Sequence, residues 1–282
     1  MSSVTVVGAG TMGSGIAQVL AQAGYEVLLL DTTEELVSKG FNGIKQSLNR
    51  LQQKGKLTES DVECIMGLIK RGTDLKESCS SEIVIEAIYE NMDAKKRLFR
   101  ELDNVCDPQT VFASNTSSLS ITEMAFATSR PDRVIGMHFF NPVPVMQLVE
   151  IVKGLATSEE TVAKVREVAE KLGKKPVIAG EAPGFIVNRL LIPMINEAIL
   201  LLGEGVATAS DIDTAMMAGA NHPMGPLALA DLIGLDVCLA IMETLHREIG
   251  DDKYRPALLL KQMVKAGYLG RKTGKGFYKY NK

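Results

Sequence analysis

The stretch VTVVGAGTMG, residues 4–13, limits what this chain can fold into more than any other part of the sequence. Four residues typical of a β-strand lead into three glycines with G-x-G-x-x-G spacing. In this pattern the first glycine allows a tight turn from strand to helix, the second lets a pyrophosphate approach the backbone, and the third lets the helix pack closely on the sheet. We therefore predict a dinucleotide-binding turn at the amino end of a helix. The residues predicted to bind in this turn are Gly8, Gly10, Thr11, Met12 and Gly13.

An acidic residue supports this interpretation. A second strand, predicted at residues 26–30, ends at Asp31, where a carboxylate can accept hydrogen bonds from the adenosine ribose and repel a 2′-phosphate. Asp31 therefore predicts NAD as the cofactor, although the small side chains of Thr32 and Thr33 leave NADP open. A glycine-rich turn that binds no ligand is the alternative explanation.

The order of the predicted elements indicates an α/β fold. Further strands are expected at 83–87, 111–114, 134–140, 148–152 and 176–179, and helices alternate with them at 93–103, 121–127 and 159–172. This alternation predicts a Rossmann-type, doubly wound, mostly parallel sheet over residues 1–182. Only helices are expected after the segment GEAPG, at 185–202, 210–218, 226–249 and 256–266. Residues 183–282 are therefore predicted to form an all-α C-terminal domain.

Two helices near the start of the chain carry an excess of positive charge. They are predicted at 34–53 and 60–70 and would form an arm, at about residues 34–70, that stands away from the sheet. The basic side chains are those of Lys39, Lys45, Arg50, Lys54 and Lys56. A solvated helical face explains this charge as well as an anion-binding surface does.

Composition excludes several classes of function. A hydrophobic fraction of 46% and a charged fraction of 23% are those of an ordinary globular protein, and a net charge of −3 argues against a dedicated nucleic-acid binder. The longest apolar stretch, residues 190–202, is interrupted by Pro193 and Glu197 and is too short to span a bilayer. We therefore expect neither nucleic acid nor a membrane as a partner.

The cysteines indicate the compartment. Cys64, Cys79, Cys106 and Cys238 are scattered, without the spacing of a zinc or redox site, so we expect no metal and reduced, mostly buried thiols. The first predicted strand begins at residue 4, which leaves no room for a signal peptide. Together these features predict a cytoplasmic protein.

Polar side chains follow the ends of three predicted strands, where a nicotinamide would reach in such a sheet. They are Glu90, Asn115, Ser117, His138 and Asn141. Histidine is the side chain best suited to moving a proton near neutral pH, and Glu150, within the apolar run QLVEIV, would orient the ring of His138. A hydrogen-bonded core histidine is the alternative for His138.

Three of the candidate residues have competing explanations. Asn115 and Ser117 could cap the following helix and do nothing more. Asn188 lies on an otherwise apolar helix after the domain boundary, where it needs a buried partner or a ligand, and an interdomain hydrogen bond would satisfy it equally. The same helix is apolar almost all round, which suggests that a second subunit covers part of it.

Several motifs carry a resemblance to a known family. They are GAGTMGSGIAQ at 8–18, NTSS at 115–118, HFFNP at 138–142, PGFIVNR at 183–189, HPMGPLALAD at 222–231 and GRKTGKGFY at 270–278. In this order they resemble the 3-hydroxyacyl-CoA dehydrogenase family over both predicted domains, and most closely its short bacterial members, which interconvert acetoacetyl-CoA and (S)-3-hydroxybutyryl-CoA.

The resemblance implies a role for each candidate residue. The catalytic residues would be His138 as general acid and base, Glu150 as its orienting partner, and Ser117 and Asn188 around the reacting oxygen. The cofactor would lie along Asp31, Glu90, Lys95, Asn115, Ser117 and Asn141, beyond the glycine turn. The acyl-CoA would be bound by Ser47, Lys54, Ser117, His138 and Asn188, and we predict Arg50, one turn before Lys54, as a further phosphate contact because of its charge. The family also implies a homodimer formed through the helical domain.

Two rival functions stay open. A dehydrogenase of the same architecture that acts on a free 3-hydroxy acid would have no use for the basic arm. A dinucleotide-binding structural protein without catalysis would have no use for the set of Ser117, His138, Glu150 and Asn188.

Overall fold

The computed structural model describes residues 3–280. The chain divides between Ala182 and Pro183 into two compact units, and each is described by itself.

The first unit is built on an eight-stranded sheet. Its strands are β1 (Ser3–Val7), β2 (Glu26–Leu30), β3 (Ile69–Gly72), β4 (Ile83–Glu86), β5 (Val111–Ser114), β6 (Val134–Phe139), β7 (Leu148–Lys153) and β8 (Lys175–Gly180). Their order across the sheet is β3-β2-β1-β4-β5-β6-β7-β8, and every neighbouring pair is parallel except β6 with β7. The predicted mostly parallel α/β sheet is confirmed.

Helices cover the sheet because its central strands are apolar on both faces. They are α1 (Thr11–Gln22), α2 (Glu34–Gln53), α3 (Glu59–Gly67), α4 (Met92–Val105), α5 (Ile121–Ala125) and α6 (Glu159–Lys171). Val6, Ile85 and Ile135 of the sheet are buried in one core with Ile16 and Leu20 of α1. The hydroxyl of Thr157 donates a hydrogen bond of 2.7 Å to the carbonyl oxygen of Val134, which ties the amino end of β6 to the start of α6, and Ser158 caps α6.

The structure corrects the prediction of a free-standing arm at about residues 34–70. Residues Ile69–Gly72 form an edge strand rather than the end of a helix, and they pair in parallel with β2. Ile44 and Leu48 of α2 are buried in the sheet core. At Gly40 an added Cβ would lie 2.4 Å from the carbonyl oxygen of Ala9, so α2 packs directly on the glycine turn. Only the outer faces of α2 and α3 are left to solvent.

The second unit is helical. Its helices are α7 (Val187–Gly203), α8 (Ala209–Gly219), α9 (Pro226–Ile233), α10 (Leu235–Ile249) and α11 (Leu258–Lys265). The helix predicted at 226–249 is two helices, because Gly234 adopts φ +107° and breaks it. The helix predicted at 210–218 begins one residue earlier, and Thr208 supplies its capping hydroxyl.

Two further observations bear on the sequence predictions. Within residues 3–280, no helix combines the length and the apolar character that a membrane crossing requires. All four cysteines are free thiols, but only Cys106 and Cys238 are buried, so the expectation of mostly buried thiols holds for half of them. Burial raises the pKa of the Cys238 thiol to about 12.

Candidate active site

The three glycines of the turn have different surroundings. Gly8 has φ +104°, and a Cβ there would lie 2.5 Å from the carbonyl oxygen of Ala87 on the neighbouring strand end. A Cβ on Gly13 would lie 1.7 Å from the carbonyl oxygen of Gly8. At Gly10, by contrast, no described heavy atom lies within 4 Å of an added Cβ. The first and third glycines are therefore required by the packing of the turn, and the second leaves its backbone open to a ligand.

Asp31 is attached to this turn. Its carboxylate accepts hydrogen bonds of 2.7 Å from the backbone N–H groups of Ala9 and Thr32. It borders a cavity of about 790 Å³ whose lining also includes Gly8, Gly10, Leu36, Ile88, Tyr89 and Arg97. An open glycine, a helix amino end and a carboxylate at the edge of a largely apolar cavity fit the pyrophosphate, ribose and adenine of a dinucleotide.

A second cavity of about 440 Å³ adjoins the same turn. It brings together Gly10, Thr11, Asp31, Ser47 and Asn141. Among the described residues that line it, neither Arg50 nor Lys54 is present, since both are exposed near the end of α2. Of the three acyl-CoA contacts predicted on the basic arm, Ser47 therefore shares a cavity with the glycine turn, and the two cations lie toward the carboxyl end of α2.

His138 and Glu150 form a buried pair. They occupy directly opposed positions of the antiparallel strands β6 and β7, and Nδ1 of His138 lies 2.7 Å from Oε2 of Glu150. The side chains are 7% and 1% exposed, and the imidazole ring packs on Phe140 with ring centroids 4.5 Å apart. A carboxylate at this distance holds the proton on Nδ1 and stabilises an imidazolium, which leaves Nε2 as the nitrogen suited to proton exchange with a substrate.

Glu90 is the centre of a polar network after β4 and β5. Its Oε1 accepts hydrogen bonds from the hydroxyl of Thr116 at 2.6 Å and from the backbone N–H of Ser117 at 3.0 Å, and its Oε2 lies 3.3 Å from Nζ of Lys95. Burial alone would raise the pKa of Glu90, but Lys95 and these hydrogen bonds outweigh it and keep the pKa below the ordinary value. The network holds Glu90 ionised beside the predicted path of the cofactor.

Glu86 also belongs to this network, through Lys95, but the sequence analysis did not identify it. Glu86 is fully buried and accepts hydrogen bonds from Lys95 at 2.6 Å and from the Ser114 hydroxyl at 2.5 Å. Complete burial raises the pKa of Glu86, although Lys95 and Ser114 favour its carboxylate. Lys95 is itself only 1% exposed and lies between the two carboxylates. An acidic residue ending the apolar strand IVIE is the signal that could have indicated Glu86.

The remaining predicted residues are placed as follows. Asn115 is not a helix cap. Its side-chain oxygen accepts a hydrogen bond of 2.9 Å from the N–H of Phe139, which ties the end of β5 to the end of β6. The cap of α5 is Ser120. Asn188 is half-buried in the first turn of α7. In residues 3–280 no group of three or more His, Cys, Asp or Glu side chains is arranged to hold a metal ion.

Comparisons with known proteins agree with this geometry. The Bacillus subtilis (strain 168) protein named probable 3-hydroxybutyryl-CoA dehydrogenase is 55% identical over 280 residues, which cover 99% of this chain and 98% of that protein. The human mitochondrial hydroxyacyl-coenzyme A dehydrogenase is 45% identical over 284 residues, covering 98% of this chain and 90% of that one. The crystal structure of (S)-3-hydroxybutyryl-CoA dehydrogenase from Ralstonia eutropha matches with a TM-score of 0.97 and 52% identity, over the whole of both chains.

Family models match both units. The model of the NAD binding domain of 3-hydroxyacyl-CoA dehydrogenase matches residues 3–182, and the model of the C-terminal domain matches residues 184–280. NAD is therefore the cofactor of the first unit, as the glycine turn and Asp31 predict. The chain belongs to the 3-hydroxyacyl-CoA dehydrogenase family.

Proposed function

We propose that this protein interconverts acetoacetyl-CoA and (S)-3-hydroxybutyryl-CoA with NAD as the hydride carrier. The observation that carries the proposal is the buried pair of His138 and Glu150. It lies at the carboxyl end of β6, which is the edge of the sheet where β1 leads into the glycine turn. An acid–base group and a dinucleotide turn at one sheet edge are what hydride transfer at a carbinol carbon requires.

The chain's own residues would handle the proton. In the oxidative direction, Nε2 of His138 takes the proton of the 3-hydroxyl group, and the carboxylate of Glu150 stabilises the imidazolium that results. In the reductive direction the imidazolium returns that proton to the carbonyl oxygen. NAD, when bound, supplies the acceptor or donor of the hydride at the substrate's C3. Positioned proton transfer of this kind accelerates a reaction by typically ~10²–10⁴-fold.

Other residues are assigned supporting roles. Ser117 and Asn188 would donate hydrogen bonds to the reacting oxygen. Glu90, held ionised by Lys95, would contact the nicotinamide half of the cofactor together with Asn115, Ser117 and Asn141. Ser47 and Arg50 on α2, with Lys54 at its carboxyl end, would bind the coenzyme A part of the substrate, where a cationic helix face suits phosphate groups.

The wider setting is also part of the proposal. Residues 1–182 would act as the NAD-binding domain, and residues 183–282 as the substrate and dimerisation domain. The exposed Leu190 on α7, with 71% of its surface accessible in the single chain, supports a homodimer formed through this helix. We further propose a cytoplasmic enzyme of butyrate or fatty-acid metabolism that prefers NADH to NADPH because of Asp31.

An assay of NADH consumption with matched substrates tests this function. With acetoacetyl-CoA we expect turnover, and with acetoacetate a kcat/KM lower by on the order of 10²-fold or more, because the remote coenzyme A part contributes binding energy to the transition state. Equal kcat/KM values would identify a dehydrogenase of free acids. NADH binding without any turnover would identify a structural protein. Replacing NADH with NADPH in the same assay tests the preference for the cofactor.

A further inference from the structure

The connection between β6 and β7, residues 140–147, reaches the dinucleotide turn. Residues 141–144 of this connection line the cavity that Gly10 and Thr11 also line. Val143 packs on α1 at Gly15, where an added Cβ would lie 2.9 Å from the Cβ of Val143. Because the contact leaves no free space, a displacement of the connection must alter the cavity at the amino end of α1.

Lys174 holds this connection in place. It follows α6 in the chain and is 9% exposed, and its Nζ donates hydrogen bonds to the carbonyl oxygens of Val143 at 2.6 Å and Met146 at 2.8 Å. Burial lowers the pKa of the ammonium group, which has no carboxylate partner among the described residues. Both acceptors are backbone atoms of the connection.

Burying an ammonium group has a desolvation cost in free energy, which an apolar side chain at the same position would not have. What the ammonium adds is a pair of charge-assisted hydrogen bonds to two carbonyl groups three residues apart. Among the described residues, the turn of the connection is closed by the N–H groups of Val145 and Met146, which both donate to the carbonyl oxygen of Pro142. Lys174 adds two hydrogen bonds from outside this turn, beside the buried side chain of Val143, and so fixes the orientation of the segment.

We propose that Lys174 is a positioning residue for the dinucleotide site, which acts by holding Asn141 at the cavity shared with Gly10. The inference rests on the proposed function insofar as it takes Asn141 to contact the cofactor. Substitution of Lys174 should therefore weaken the binding of NADH and leave the acid–base step at His138 largely unchanged.

The test is a double-mutant cycle on NADH binding, measured by the fluorescence of the bound cofactor. Lys174→Met and Asn141→Ala are each expected to raise the Kd of NADH about tenfold, the low end of the loss of a hydrogen bond to a charged group. The double variant is expected to bind within twofold of Asn141→Ala, because Lys174 acts through that residue. The kcat with acetoacetyl-CoA should change less than threefold in Lys174→Met.

Lys175→Met is the matched control, since Lys175 is the next residue and is exposed. It should bind NADH as the wild type does. If Lys174→Met does not fold, Lys174→Leu, which also removes the donor to the two carbonyl groups, replaces it under the same criteria.

The role of Lys174 is overturned if the folded variant binds NADH within twofold of the wild type, or if the two single effects multiply in the double variant. It is also overturned if Asn141→Ala leaves the Kd of NADH unchanged. A wild-type protein that binds NADH but does not reduce acetoacetyl-CoA would contradict the proposed substrate instead, because the binding cycle does not depend on turnover.

Discussion

Charged side chains at the carboxyl edge of the sheet lie in matched groups, and all of them except the 38% exposed Glu90 are buried. Glu150 is paired with His138, and Lys95 lies between Glu86 and Glu90. A buried carboxylate or ammonium is tolerated only where a partner compensates for its lost hydration. The edge can therefore hold several ionisable groups in fixed positions, which is the property that an acid–base site needs.

Replacing Glu150 with Gln should separate chemistry from binding. The amide can still accept a hydrogen bond from Nδ1 of His138, but it cannot stabilise an imidazolium by charge. We expect kcat with acetoacetyl-CoA to fall by roughly 10²-fold or more, with the Kd of NADH within twofold of the wild type. Glu167→Gln on the exposed face of α6 is the control for the same chemical change. A kcat within threefold of the wild type in Glu150→Gln would remove Glu150 from the mechanism.

Sequence reasoning predicted some of these residues better than others. His138 and Glu150 were recognisable because each is a polar residue within an apolar run. Their direct opposition could not be predicted, because it depends on β7 pairing antiparallel to β6 in a sheet that is otherwise mostly parallel. The link from Glu86 to Lys95 is likewise set by a tertiary distance, between a strand and the helix that follows it.

The glycine turn is the element whose form is most strictly fixed by its sequence. Gly10 has φ −69°, which any residue can adopt, and open space at its Cβ position. Gly10→Ala should therefore leave the Tm within a few degrees of the wild type while it raises the KM of NADH, because the methyl group would occupy the approach to the backbone. Gly13→Ala should instead destabilise the fold by ~1–3 kcal/mol or more, since overpacking typically costs that much. Thermal unfolding and NADH kinetics of both variants check this, and equal behaviour of the two would contradict the roles assigned here.

The basic helix α2 allows a matched comparison between its faces. Lys54 and Lys45 are both exposed, and nine residues at about 100° each place them on opposite faces of the helix. Lys54→Ala should raise the KM of acetoacetyl-CoA by up to about fivefold, as expected for an exposed ion pair worth up to ~1 kcal/mol. Lys45→Ala should leave that KM unchanged, and the effect at Lys54 should weaken as salt is added. Identical KM values in the two variants would indicate a merely solvated face.

The elements that sequence reasoning missed have weak local signals. Strand β3, IKRG, is a four-residue edge strand whose middle two side chains are exposed, so it lacks the apolar run that marked the central strands. The break at Gly234 was missed because the apolar pattern continues on both sides of it. The close packing of α2 on the turn is signalled by Gly40, whose lack of a side chain is required by contact with Ala9.

In the whole molecule, the sequence motifs of the two units have different tasks. Motifs in the first unit supply the cofactor turn and the buried pair of His138 and Glu150. In the second unit, Asp213 accepts hydrogen bonds from the first N–H groups of α9, and Asp231 accepts them from Phe277 and Tyr278. The motif HPMGPLALAD therefore holds the motif GRKTGKGFY, which explains structurally why the family resemblance extends to the end of the chain.

The catalytic role of His138 is tested most directly by comparing wild type and His138→Gln for NADH consumption with acetoacetyl-CoA, with the Kd of NADH measured on both proteins. The variant is expected to bind NADH within twofold of the wild type, and its kcat is expected to fall by ~10²–10⁴-fold. A folded His138→Gln variant that turns over acetoacetyl-CoA at nearly the wild-type rate would contradict this role.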